Sequence, residues 1–344
     1  MNFISDNQST VFPEIIKYLQ EVNKYSLSSY GADPITNKAK IAVSNFFEKN
    51  VEIRYVSSGT ASNSISLSAI CPPYGGILCS DVSHLDGDEC GAPEFFTGGA
   101  KLIKISTSDG IISPKQLKNK INSFGLHGIH EVKLSVLDIT QISELGTVYQ
   151  VDRLKELNTI AHKSNLLTHM DGARFASACA YLNCHPSEIS WKSGIDIMSL
   201  GATKNGAMAC ELIVIFNPKI ADDIDRRQKR AGHLWSKNRY MAAQIIKWIE
   251  NDRWIKAATK ANNFAKQIQD ILLLNKNINI PFAVEGNMVF ATIPSKLQKY
   301  LLDMKVKFNK WPKEKELTRF VASWDTKQSE ISELKTILKN SNNI

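Results

Sequence analysis

Two rhythms of apolar positions alternate along this chain. Short, largely apolar runs are separated by longer stretches in which apolar residues recur at helical spacing, so strands and amphipathic helices are predicted in turn. A helix is predicted from Pro13, and after the turn-rich link Ser29-Tyr30-Gly31-Ala32-Asp33-Pro34 a second over residues 36–50. A strand over 53–56 then leads through Ser57-Ser58-Gly59-Thr60-Ala61-Ser62-Asn63 into a helix over 64–70. Further strands are predicted at 77–79, 102–105, 132–139 and 166–170, with helices at 114–124 and 152–164 between them. The apolar run 195–198 precedes a small-residue turn, Ser199-Leu200-Gly201-Ala202-Thr203-Lys204-Asn205-Gly206, followed by a strand over 211–216. Helical patterning runs over 221–250 and on to about 274. The end of the chain, with strands at 288–293 and 318–323 and helices at 295–305 and 328–340, looks like a compact second unit. This alternation predicts an α/β protein whose mostly parallel sheet is wrapped by helices. Such folds bind ligands at the carboxyl ends of their strands.

Composition narrows the classes without deciding among them. A chain of 344 residues can bury a large domain and a smaller one. The net charge of +8 is spread along the chain apart from Arg226-Arg227-Gln228-Lys229-Arg230. That cluster is short and helical, without the aromatic interleaving of a nucleic-acid surface, so no nucleic-acid partner is expected. The six cysteines form no C-x-x-C pair, which argues against a zinc site. No basic start with an apolar core reads as a signal peptide, and no apolar run is long enough for a bilayer. A cytoplasmic protein with reduced thiols and no membrane partner is expected.

The candidate chemistry lies at the predicted strand ends. Lys204 sits at the centre of its turn, where burial or neighbouring charge can lower an amine's pKa enough for covalent catalysis, although a lone loop lysine also reads as simply solvated. Gly201, Ala202 and Gly206 are expected to let a flat group approach the backbone. Ser58, Gly59 and Thr60 open a helix as an anion cradle, but the turn is not a Walker loop. His84 follows a strand and suits stacking on a planar ring or service as a base. Asp86, Asp88 and Glu89 beside it are scattered for metal ligands, and no metal is expected. Asp171 closes a strand, where a carboxylate can hold a ring nitrogen protonated. Arg174 can fork onto a substrate carboxylate or form a structural pair. Arg319, in a predicted strand, needs an anion unless the strand is a solvated edge.

Taken in order, these stretches resemble the low-specificity L-threonine aldolases, especially their phenylserine-aldolase-like branch. The resemblance spans nearly the whole chain. It rests on Phe3-Ile4-Ser5-Asp6-Asn7, Ser29-Tyr30-Gly31-Ala32-Asp33, Ser58-Gly59-Thr60-Ala61-Ser62-Asn63, the segment 84–93, Thr140-Gln141, His169-Met170-Asp171-Gly172-Ala173-Arg174-Phe175, Gly201-Ala202-Thr203-Lys204-Asn205-Gly206, Lys229-Arg230-Ala231-Gly232-His233-Leu234 and Arg319-Phe320-Val321. It implies pyridoxal 5'-phosphate (PLP) as cofactor and the type I fold of PLP-dependent enzymes, in which a seven-stranded sheet is sandwiched by helices. It also implies an N-terminal segment, 1–35, packed on the large domain and a dimer partner, a large cofactor domain over 36–250, and a small α+β domain over 251–344. Lys204 is implied as the covalent attachment point. Asp171 is implied at the ring nitrogen, His84 on the ring face, Ser58, Gly59 and Thr60 on the phosphate, and Arg174 in the same cofactor pocket. Lys237 of a neighbouring subunit is the implied helper at the phosphate. Ser5, Tyr30, Arg174 and Arg319 are implied as substrate contacts, and His84 or His130 as the base. The implied activity is retro-aldol cleavage of a β-hydroxy-α-amino acid to glycine and an aldehyde by a dimer of dimers. Another PLP lyase or an aminotransferase is the alternative, and a catalytically silent binding protein is a third reading.

Overall fold

The computed structural model describes residues 1–311 and 316–341. Its strands are β1 (Asn2–Phe3), β2 (Glu52–Val56), β3 (Gly75–Ser80), β4 (Lys101–Ile105), β5 (Lys133–Thr140), β6 (Leu167–Gly172), β7 (Ile197–Gly201), β8 (Glu211–Ile215), β9 (Met288–Thr292), β10 (Lys307–Lys310) and β11 (Leu317–Val321). The helices are α1 (Pro13–Val22), α2 (Pro34–Phe46), α3 (Gly59–Ile70), α4 (His84–Gly87), α5 (Ala92–Thr97), α6 (Pro114–Asn122), α7 (Val151–Lys163), α8 (Phe175–Leu182), α9 (Ala221–Arg230), α10 (Arg239–Ile249), α11 (Arg253–Leu272), α12 (Ser295–Asp303) and α13 (Gln328–Lys339).

Seven strands form one sheet in the order β2-β8-β7-β6-β5-β3-β4. Its pairs are parallel except at β8, which runs antiparallel to both neighbours. The carboxyl ends of β2, β3, β5, β6 and β7 therefore share one edge, where Asp171 ends its strand and the segments carrying His84 and Lys204 emerge. The sheet centre is buried on both faces, with every residue of β3, β7 and β8 buried, as expected where helices cover both sides. The second sheet, β1-β10-β11-β9, has its own core of Phe3, Phe264, Ile268, Val289, Phe308, Phe320 and Leu334.

Several predicted elements shift. Helix α3 begins at Gly59, because Ser58 caps it by accepting from the Ala61 amide at 3.3 Å; the small-residue turn is thus the first helical turn. Helix α2 begins at Pro34, capped by Asp33 through the amides of Ile35 and Thr36. The long helical pattern after residue 221 is three helices, with a break over 231–238 and left-handed backbone at Asn251 and Asp252 (φ 58° at each). The N-terminal segment does not pack on the large sheet alone: β1 pairs in parallel with β10 of the second sheet. Asn2 and Phe3 are too short a run to read as a strand without the edge that receives them.

Candidate active site

Lys204 lies in the turn after β7, partly buried, and its Nζ makes no hydrogen bond or ion pair among the described residues. Burial and the Arg174 guanidinium hold its pKa below the usual lysine value, against the opposing pull of Asp6, Asp171 and Glu211. An unpaired amine biased toward its neutral form is a competent nucleophile.

Asp171, at the end of β6, is buried and hydrogen-bonded on both oxygens: Oδ1 accepts from the Ala173 amide at 2.9 Å and Oδ2 from Asn63 Nδ2 at 2.9 Å. Burial pushes its carboxyl upward, but His84, Lys204 and these two donors outweigh it, so the group stays ionised below the usual range. His84 begins the short helix α4, with its side chain 37% exposed. Its Nδ1 is 2.9 Å from Glu89 Oε1, and its backbone amide donates to Glu144 Oε1 at 2.7 Å. The Glu89 hydrogen bond and the Asp171 charge raise its pKa despite burial and Lys204.

Glu89, dismissed by its spacing in the sequence, comes together with His84 and Asp171, their ligand atoms all within 4.8 Å of one another. That is a metal-like set of side chains. Asn63 Nδ2, which donates to Glu89 Oε1 at 2.8 Å as well as to Asp171, already bridges the two carboxylates.

The two arginines part company. Arg174 was expected to grip substrate with its fork, but the Nε and Nη2 edge of that fork donates to Asp6 at 2.7 and 2.9 Å. Asp6 is 1% exposed and also accepts from Asn287 Nδ2 at 2.9 Å. The Arg319 side chain makes no hydrogen bond or ion pair among the described residues, and its Nε is buried. Burial and the neighbouring Arg174 lower its pKa to about 10, offset in part by Asp6 and Asp88. A guanidinium so placed calls for an anion.

At α3 the first-turn amides lack helical acceptors and face the same edge. A Cβ at Gly59 would meet nothing within 4 Å, so the backbone there is open to approach. The glycines at the end of β7 and in the turn beyond it are different: Cβ atoms would strike Ala173 O at 2.6 Å from Gly201 and the Phe12 ring within 2.5 Å from Gly206. They serve close packing of the lysine turn, which corrects the reading of them as space for a flat ligand.

Other expected residues lie apart from this cluster within the chain. His130 is exposed in the turn before β5, at the amino edge of the sheet, separated from the site by about 25 Å of strand; it is not a base for its own chain's site. Tyr30 is 53% exposed, with its amide on Ser236 O and Lys229 over its ring. Lys237 is exposed. Ser5 is an N-cap, its Oγ accepting from the Asn7 amide at 3.2 Å, beside the Asp6 turn that packs on the lysine turn. Sequence reasoning missed Asp6, Asn63, Glu89, Glu211 and Asn287 as site residues. Asp6 and Asn63 stood in recognised motifs, while Asn287 carried no signal.

These features fit PLP: an unpaired amine for its aldehyde, a buried ionised carboxylate for its ring nitrogen, and an open helix N-terminus for its phosphate. The fold agrees. The threonine aldolase of Leishmania major superposes with a TM-score of 0.91 over 98% of each chain at 21% identity, and cystalysin of Treponema denticola with 0.72 over 99% of this chain and 91% of its own at 14%. The class is thus that of the type I PLP-dependent fold. Within it, residues 2–294 match the beta-eliminating lyase family model. The low specificity L-threonine aldolase of Pseudomonas aeruginosa is 37% identical over 332 residues, 96% of this chain and 95% of the relative, and that of a Pseudomonas species 36% over the same shares. The chain belongs to this family.

Proposed function

We propose that this protein cleaves L-threonine, L-allo-threonine and related β-hydroxy-α-amino acids, L-phenylserine among them, to glycine and an aldehyde with PLP as cofactor. When bound, PLP supplies an electron sink for the pair left at Cα as the Cα–Cβ bond breaks. Lys204 holds the cofactor covalently, and its depressed pKa keeps the amine nucleophilic. Asp171 keeps the proton on the ring nitrogen. The amides at Gly59 and Thr60, with the Ser58 and Thr60 hydroxyls, receive the phosphate, and Lys237 of a neighbouring subunit adds a cation. His84 covers a ring face and takes the substrate hydroxyl proton at Nε2. Arg319 receives the substrate carboxylate with the remaining edge of Arg174, and Ser5 borders the substrate. Orienting that carboxylate selects which Cα bond breaks. The observation that carries this reading is the placement of unpaired Lys204 and ionised Asp171 at the carboxyl edge of the large sheet, with the unpartnered Arg319 side chain of the second sheet beside Arg174, in a chain 37% identical to a low specificity L-threonine aldolase.

We also propose a homo-oligomer, a dimer of dimers, working in the cytoplasm. The six free thiols support a reducing compartment. No helix among the described residues is long and apolar enough to cross a membrane.

The test supplies PLP and then L-threonine, L-allo-threonine and L-phenylserine, and measures acetaldehyde or benzaldehyde alongside glycine. Lys204→Ala is expected to abolish turnover and to leave no cofactor attached after borohydride reduction. Pyruvate and ammonia in place of aldehyde and glycine would favour β-elimination instead.

A further inference from the structure

Behind His84 runs a buried polar chain that the proposed reaction leaves without a task. Glu89 has a fully buried side chain, Oε1 shared between His84 Nδ1 and Asn63 Nδ2, and an Oε2 without a hydrogen bond. Two donors are few for a carboxylate taken out of water, which is costly to bury unless it is well paired. Among the described residues His84 is its only ion-pair partner. Asn63 is itself 1% exposed, and its orientation is not free. Its nitrogen faces two carboxylate oxygens, which only accept; turned over, its carbonyl would oppose both. The same nitrogen reaches Asp171, so three elements, the loop after β3, α3 and β6, meet through one amide.

We propose that Glu89 is a positioning residue for the aldol cleavage: it holds the neutral His84 ring with its proton on Nδ1, so that Nε2 presents a lone pair to the substrate hydroxyl, and Asn63 couples this setting to Asp171. This rests on the reading of His84 as the base. In the step itself the hydroxyl O–H bond breaks, the proton passes to Nε2, and the ring becomes an imidazolium whose charge Glu89 balances without taking a proton. The imidazolium later releases the Nε2 proton to water on the ring's exposed side.

The charged and titratable groups around His84 are Glu89 on its own loop, Asp171 at the end of β6, Lys204 after β7, and Glu144 after β5. Glu89 and Asp171 favour the imidazolium and Lys204 opposes it. Glu144, pushed up by burial to about 7, is a second titrating group beside the ring, so the ring must be observed directly.

The experiment is NMR of histidine-labelled full-length protein, without and with PLP, the His84 signals being those missing in His84→Asn. The expected result is a neutral ring protonated at Nδ1. In Glu89→Gln the ring midpoint should fall by about one unit, a tenfold change in its acid constant. The acidic limb of the pH–rate profile for acetaldehyde release should move down equally, with KM for L-threonine little changed. A neutral ring protonated at Nε2, or an unmoved midpoint in folded Glu89→Gln, would overturn the proposal. Should that variant fail to fold, Glu89→Asp, which withdraws the carboxylate by one methylene, must lower the midpoint too; no change overturns the proposal equally. A shifted midpoint in protein that releases no aldehyde would sink the aldolase reading while leaving the ring assignment standing. An unshifted midpoint in an active aldolase would do the reverse.

Discussion

Arg319 carries the strongest statement about what this protein binds. An arginine in a strand, without a partner and beside a second arginine, is a destabilising arrangement in the absence of an anion. Arg319→Gln should therefore separate binding from stability. A charge-assisted hydrogen bond is worth about 1.5–3 kcal/mol, so KM for L-threonine is expected to rise roughly 10- to 100-fold. The thermal midpoint should not fall, because the substitution removes an unpaired, half-buried cation. Steady-state kinetics with a thermal scan check both halves, and an unchanged KM would remove Arg319 from the substrate site. Lys204, Asp171, His84 and Arg319 could be singled out in the sequence because each is a charged or titratable residue in or just after an apolar strand pattern. Arg174 was ambiguous for a physical reason: its choice between ligand and structural partner depends on Asp6, 168 positions away.

At the scale of elements, apolar periodicity located most helices and strands, but their ends were set by hydrogen bonds it does not encode. The start of α3 depends on the Ser58 cap, and the break after α9 is invisible to a helical pattern that continues past it. The lysine turn is held from below by Phe12, whose amide donates to Gly206 O at 2.8 Å and whose ring lies where a Cβ on Gly206 would go. Gly206 also has a φ of 95°, which a side chain rarely accepts. Gly206→Ala is expected to cost about 2–5 kcal/mol from backbone strain and overlap together. Gly59→Ala, in open space, should stay near neutral for stability. Urea unfolding of the two variants measures the contrast; equal stabilities would refute the packing role given to Gly206.

For the whole molecule, the first dozen residues tie the two sheets together. β1 joins the second sheet, Thr10 donates to Asp325 at 2.8 and 3.0 Å, Trp324 donates to Thr10 O, and Phe12 reaches the lysine turn. Asp6 is the centre of this tie, held by Arg174 and Asn287. Burial raises its pKa, but Arg174 and Lys204 bring it below the usual aspartate range. A carboxylate lowered on folding stabilises above its unfolded pKa, and that contribution disappears as pH falls through the folded value. Asp6→Asn should thus lower stability at pH 7 by about 3–5 kcal/mol, as breaking a buried pair does, and flatten the loss below pH ~4. Urea midpoints from pH 7 to pH 3 test it; parallel curves for the two proteins would contradict the assignment. The sequence by itself determined the α/β alternation, the cofactor-bearing edge and most of the charged residues on it, because strand ends and apolar periodicity are local properties. Only the tertiary structure decided that Arg174 belongs to Asp6, that Asn63 and Glu89 stand behind His84, and that His130 lies at the far edge, because a buried charge is defined by the partners that chain-distant segments bring to it.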